Sequence, residues 1–207
     1  AVLQNYSSDA VLADELGSYD KKKWRLFKWS NGQYVESNVS FTPGAAYWLI
    51  TKNGEQINTG PGKSTRIYSS SKISLFDGWN MVGNPYIFPI NLAEHVGLSE
   101  NVEPTLYEWN GSSYNNTTNM MPKGGNWVFS NGNGTMEFFP IWKPGLLSEV
   151  EVIPEETADE EDFNWKAKII TKAGNRYDKT TTFGVHESAS DTWDRFDYHE
   201  PPVIGNY

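Results

Sequence analysis

Apolar and polar residues alternate along most of this chain, with few helical periods. From Arg25 to Trp29, Leu26 and Lys28 point one way and Phe27 and Trp29 the other. Short β-branched and aromatic runs of this kind recur, separated by Gly, Pro and Asn turns, and that is the pattern of an all-β protein. Strands are expected after Gly44 as far as Ile50, after Gly124 as far as Phe129, and at Ile67–Tyr68, Ile73–Phe76, Met136–Phe139, Trp165–Ile170 and Thr180–Val185. Asn31-Gly32 and Asn110-Gly111 are type I′ hairpin signals, and Asp77-Gly78 is a candidate tight turn. Two segments break the alternation. Ala10–Leu16 and Leu92–Val96 carry apolar residues four apart, which predicts two short helices. Asp9 and Asn91 stand where an N-cap would, and Gly17 and Gly97 where a C′ glycine would.

The pattern repeats itself. Leu26-Phe27-Lys28-Trp29-Ser30-Asn31-Gly32-Gln33-Tyr34 matches Leu106-Tyr107-Glu108-Trp109-Asn110-Gly111-Ser112-Ser113-Tyr114 at a spacing of 80. Leu12–Gly17 matches Leu92–Gly97 at the same spacing. Trp48 and Trp127 are 79 apart, so one residue has been lost in between. The expected architecture is two related β-rich repeats of about 80 residues (roughly 1–66 and 67–147), which bury their tryptophans against each other's sheets. An acidic linker at 148–162 follows, then a small, partial β-sandwich-like module at 163–207. Glu149 to Asp162 holds eight carboxylates and no Lys or Arg, a composition that favours solvated chain.

Composition narrows the function classes. The chain has 207 residues, enough to bury about 70% of its unfolded surface without staples. It has no cysteine, which removes disulfides, thiolate zinc sites and a Cys nucleophile together. Net charge is −9, and the only basic cluster, Lys21-Lys22-Lys23 with Arg25, suits a solvated turn better than a nucleic-acid face. No apolar run approaches the length of a membrane span. His95, His186 and His199 are far apart, and no Gly-x-Ser-x-Gly, His-Glu-x-x-His or phosphate-binding Gly loop occurs. The expectation is therefore a non-catalytic chain.

Two binding chemistries are candidates. Tryptophans kept by both copies (Trp29 with Trp109, Trp48 with Trp127) are most economically core. Trp24, Trp142 and Trp193 lack a counterpart and are the candidates for exposure, where a flat indole can stack on a sugar ring. Asp191, Asp194, Asp197 and Glu200 recur every three residues, with Asp178 upstream. Such a segment could supply the oxygens that Ca²⁺ requires, or could use its carboxylates as turn caps.

Leu12–Gly17, Trp24-Arg25-Leu26-Phe27, Pro43-Gly44 with Tyr47-Trp48, and Gly78-Trp79-Asn80 with Gly83-Asn84-Pro85 resemble a repeat of large secreted proteins of Bacteroidota-type bacteria, often cargo of the type IX secretion system. Trp165, Phe183-Gly184-Val185, Ala189-Ser190-Asp191, Asp194, Asp197 and Glu200-Pro201-Pro202 resemble a C-terminal accessory module of the same proteins. The resemblance implies a secreted or cell-surface location and an excerpt of a longer polypeptide, whose other domains would be its partners. It implies a spacer or interaction module, with a carbohydrate-binding module and a Ca²⁺-rigidified adhesion module as alternatives.

Overall fold

The computed structural model describes residues 7–36, 40–59, 65–140, 164–173, 176–178, 181–190, 197 and 201–202. The fold is all-β, in several small antiparallel sheets. In chain order the elements are α1 (Ser8–Leu16), β1 (Trp24–Ser30), β2 (Gln33–Glu36), β3 (Trp48–Thr51), β4 (Ser71–Leu75), β5 (Gly78–Gly83), β6 (Ile90–Asn91), α2 (Leu92–His95), β7 (Val96–Leu98) and β8 (Leu106–Trp109). They continue with β9 (Tyr114–Thr117), β10 (Asn119–Met120), β11 (Gly125–Ser130), β12 (Gly134–Phe138), β13 (Trp165–Lys168), β14 (Thr171–Ala173), β15 (Arg176–Asp178) and β16 (Thr182–Val185).

The first lobe is a three-stranded sheet, β2-β1-β3, under α1. Trp24 and Leu26 share one face of β1 and pack with Val11 and Leu12 of the helix. Leu16, Tyr19, Phe41, Tyr47, Leu49 and Ile57 close over them. The N-cap of α1 is Ser7, whose hydroxyl accepts from the Ala10 amide at 3.2 Å, so the helix starts earlier than Asp9 would place it. At the other end Gly17 has φ +72° and its N–H reaches the Ala13 carbonyl, as expected of a C′ glycine.

The second lobe is a sandwich. Sheet β5-β11-β8-β9 faces sheet β4-β12-β7. Between them lie Leu75, Val82, Val96, Leu106, Val128, Met136 and Phe138. Tyr86, Ile90, Leu92, Val102 and Met120 complete this core. The turn at Asp77-Gly78 joins β4 to β5, which lie in different sheets, so it forms a corner and not a hairpin. Asn80 braces the corner: its side chain accepts from the Phe76 amide and donates to the Phe76 and Gly78 carbonyls. Asn84 braces the next bend by donating to the Phe88 and Met120 carbonyls and accepting from the Tyr86 amide.

The lobes share a strand arrangement. Phe27 pairs with Trp48 and Trp29 with Tyr34 in one sheet. Tyr107 pairs with Trp127 and Trp109 with Tyr114 in the other. The turns between these strands differ. Asn31 and Gly32 both have positive φ, as type I′ requires. Asn110-Gly111 instead begins a four-residue loop. The Asn110 carboxamide accepts from the Ser112 and Ser113 amides, which a two-residue turn would not leave available.

The offset between the two segments changes from 80 to 79 before the next turn. Thr42–Ala45 and Met121–Gly124 are each closed by an N–H···O bond of 3.1 Å. Pro43 and Pro122 occupy the second position of these turns, and Gly44 and Lys123 the third, both with positive φ. Lys123, rather than Gly124, thus holds the turn position that Gly44 holds in the first lobe.

Ile67–Tyr68 is not a strand, and α2 is one turn long and runs straight into β7 through Val96. The cap of α2 is Asn91, as expected. In the C-terminal part, β13 pairs with β16 and β14 with β15. The acidic segment 148–162 lies outside the described residues.

Candidate functional site

The two lobes meet through aromatic rings. On β1 the face opposite Trp24 and Leu26 carries Trp29, and on the second sheet the face opposite Leu106 and Val128 carries Trp109 and Trp127. Trp29 meets Trp127 edge-on with centroids 5.1 Å apart, and Trp48 meets Trp109 at 6.2 Å. These contacts are reciprocal: each lobe presents its β-hairpin tryptophan to the other lobe's later tryptophan. Trp79 lies beside Trp127, Tyr107 and Phe129 and extends the layer along β5. Edge-to-face geometry suits rings whose faces are electron-rich and whose rims are not, at about 0.5–1.5 kcal/mol per pair beyond burial.

Two tyrosines line this layer. Tyr34 is edge-on to Trp29 at 4.9 Å, and Tyr114 is edge-on to Trp109 at 5.0 Å. The Tyr34 hydroxyl donates to the Pro202 carbonyl at 2.8 Å, and the Tyr114 hydroxyl donates to the same oxygen at 2.9 Å. Tyr114 also accepts from the Trp127 indole N–H at 3.1 Å. The corresponding Trp48 indole N–H is buried and has no hydrogen-bond partner among the described residues. Pro201 is buried and Pro202 half-buried.

A second polar cluster lies at the edge of the first sheet. Arg25 grips Glu36 with two hydrogen bonds of 2.8 Å, Lys21 approaches at 3.2 Å, and the Tyr19 hydroxyl donates to the same carboxylate. The Arg25 fork, helped by Tyr19 and Lys21 against the cost of desolvation, holds the Glu36 carboxyl down at about 2. Burial, then the bond to Glu36, pushes the Tyr19 phenol up to about 12. These groups satisfy one another, which is the chemistry of a clamp between β1, β2 and the turn before them.

An open cavity of about 410 Å³ lies where the lobes join. Leu12, Leu26, Tyr47 and Ile57 line one side, and the turns at Gly44 and Lys123 another. It is mostly apolar.

Trp24 is not exposed. It is 1% accessible, packs edge-on to Tyr19 at 4.9 Å, and donates its indole N–H to the Gly17 carbonyl at 3.1 Å. It shares the α1-facing side of β1 with Leu26, a pairing that the alternation already implied, and it offers no face to a sugar. Trp142 and Trp193 lie outside the described residues, as do Asp191, Asp194 and Glu200. Asp178 ends β15 opposite Thr171, and Asp197 is exposed. Among the described residues no three His, Asp or Glu side chains gather as metal ligands.

Sequence reasoning missed three features. The convergence of Tyr34 and Tyr114 on Pro202 had one signal, their common position opposite a tryptophan in the two matching segments. The Glu36 clamp had none, because its members come from separate segments. The third is an exposed aromatic pair, Trp165 (50% accessible) and Phe183 (51%), with centroids 5.7 Å apart on the β13–β16 sheet. His186 has a local role, accepting from the Ser188 amide at 2.9 Å. No described helix is long and apolar enough to cross a membrane. No family model, curated protein or solved structure matches the chain.

Proposed function

We propose that this chain is a non-catalytic structural and interaction module of a larger extracellular or cell-surface bacterial protein, built from a duplicated β-rich unit. The observation that carries the reading is the reciprocal aromatic layer. Trp29 on Trp127 and Trp48 on Trp109 join two sheets through matching positions, as a duplicated unit that packs against its own copy would. The shifted carboxylate fits the same role, since Glu36 is committed to Arg25, Tyr19 and Lys21. Secretion and partnership with other domains of the same polypeptide rest on the sequence resemblance.

The test is a binding screen of the chain against soluble and insoluble polysaccharides, with calcium and with chelator, alongside thermal melts. The expected result is no saturable polysaccharide binding and one melting temperature indifferent to chelator. Saturable binding would replace this reading.

A carbohydrate-binding module is the second reading, and it is favoured by Trp165 and Phe183, not by Trp24. Both rings are half-exposed on one face of a two-stranded sheet, where an indole can stack on a sugar. Under that reading Trp165→Ala abolishes binding and leaves the melt unchanged. A rise in melting temperature with calcium, lost on changing Asp191 and Asp194, would instead support a Ca²⁺-rigidified adhesion module.

A further inference from the structure

We propose that the cleft between Tyr34 and Tyr114 is a recognition site for an extended Pro-Pro segment, and that Pro201-Pro202 of this chain is its resident occupant. The proposal rests on the reading of the chain as an interaction module and names what one of its surfaces binds.

A peptide carbonyl has two lone pairs, and the Pro202 oxygen receives two hydroxyls, one from each lobe, at 2.8 and 2.9 Å. The donors lie 80 residues apart in sequence and hold the same register position, opposite Trp29 and Trp109. Each is seated against its tryptophan, and Tyr114 is further held by the Trp127 indole N–H. Both hydroxyls are therefore aimed before the segment arrives.

The occupant suits the site. Pro201 and Pro202 have no backbone N–H, so neither brings a donor that would need an acceptor beside the two hydroxyls. The proline ring fixes φ, and a residue before proline is held extended, so the pair enters with little conformational entropy left to lose. An aromatic groove with hydroxyl donors aimed at proline carbonyls is the general chemistry of polyproline recognition. The site draws on both lobes, so it exists only while the aromatic layer is closed. The segment thereby latches chain beyond β16 to the junction of the two sheets.

The experiment uses the full chain carrying Pro201→Gly and Pro202→Gly, which releases the resident segment. The probe is a fluorescent peptide with the sequence of residues 197–204, Asp-Tyr-His-Glu-Pro-Pro-Val-Ile. The peptide is expected to bind this variant saturably, and to bind the wild-type chain at least about tenfold more weakly because the site is filled. Adding Tyr34→Phe, which removes only a hydroxyl, and Tyr114→Phe, which also removes the acceptor of the Trp127 indole N–H, is expected to lower affinity about tenfold or more. Equal affinity for the wild-type and glycine variants, or indifference to both hydroxyls, would overturn the proposal. So would displacement of the peptide by an oligosaccharide, which would assign the cleft to sugars.

A second measurement covers a glycine variant that fails to fold. In the wild-type background, Tyr34→Phe with Tyr114→Phe is expected to raise amide exchange severalfold at Val203, whose N–H belongs to the same peptide unit as the Pro202 carbonyl, while β5 and β11 keep their protection. Unchanged exchange there would overturn the proposal. Polysaccharide binding by the wild-type chain with these outcomes intact would overturn only the broader reading.

Discussion

Glu36 sits between Arg25, Tyr19 and Lys21, and its response to acid follows from that setting. Its folded value is about 2 and its ordinary value 4.5, so the unfolded chain binds more protons between those limits. Stability from this clamp is complete above 4.5 and is lost as pH falls toward 2. Glu36→Gln should flatten that acid limb and lower the neutral-pH plateau by about 1–2 kcal/mol, which urea midpoints inside and above the window would check. Tyr19 acts at the other end. Its folded value is about 12 against 10.0, so its contribution is complete below 10 and is lost as pH rises toward 12. At Lys123 the backbone has φ 66°, a region that costs a side-chain-bearing residue about 1–2 kcal/mol. Lys123→Gly relieves that cost and should raise stability by about 0.5–1 kcal/mol, measured by chemical denaturation.

At the scale of elements, close backbone approach decides how the lobes are stitched. The Gly83 amide donates to the Gly44 carbonyl at 2.9 Å, and Ala45 bridges to Val82. A Cβ on Gly83 would stand 2.7 Å from the Ala45 carbonyl oxygen. Gly83→Ala must push this backbone apart and should cost about 1–3 kcal/mol, read as a lower denaturant midpoint. The β1–β2 hairpin was legible because Asn-Gly carries its own conformational signal. The loop after Trp109 was not, because an identical Asn-Gly was captured by the Asn110 side chain. The corner at Asp77 was likewise hidden: the sequence announces a turn, but which sheet the next strand joins depends on distant partners.

At the scale of the molecule, the aromatic layer makes the stability of each lobe depend on the other. Trp127 is 2% accessible and touches Trp29, Tyr34 and Trp79. Trp127→Ala should cost about 3–5 kcal/mol, and calorimetry should show both lobes losing stability together. A drop confined to the sandwich transition would mean that the lobes fold independently. Trp48→Phe is expected to be milder than Trp127→Phe, since it removes an indole N–H that has no partner among the described residues.

The sequence by itself determined the all-β class, the positions of most strands, both short helices and the pairing of aromatic positions at a spacing of 80. Those properties follow from local alternation, turn chemistry and self-similarity, all of which can be read along one dimension. Only the tertiary structure decided which tryptophans face which. Alternation places Trp24 and Trp29 on opposite faces of β1, but it does not say that one face meets α1 and the other a second sheet. That choice buried Trp24, joined Trp29 to Trp127, and brought two tyrosines and a proline carbonyl from three distant segments to one point. Convergence of this kind depends on how sheets stack, and sheet stacking is a property of the whole chain's packing and of no single segment.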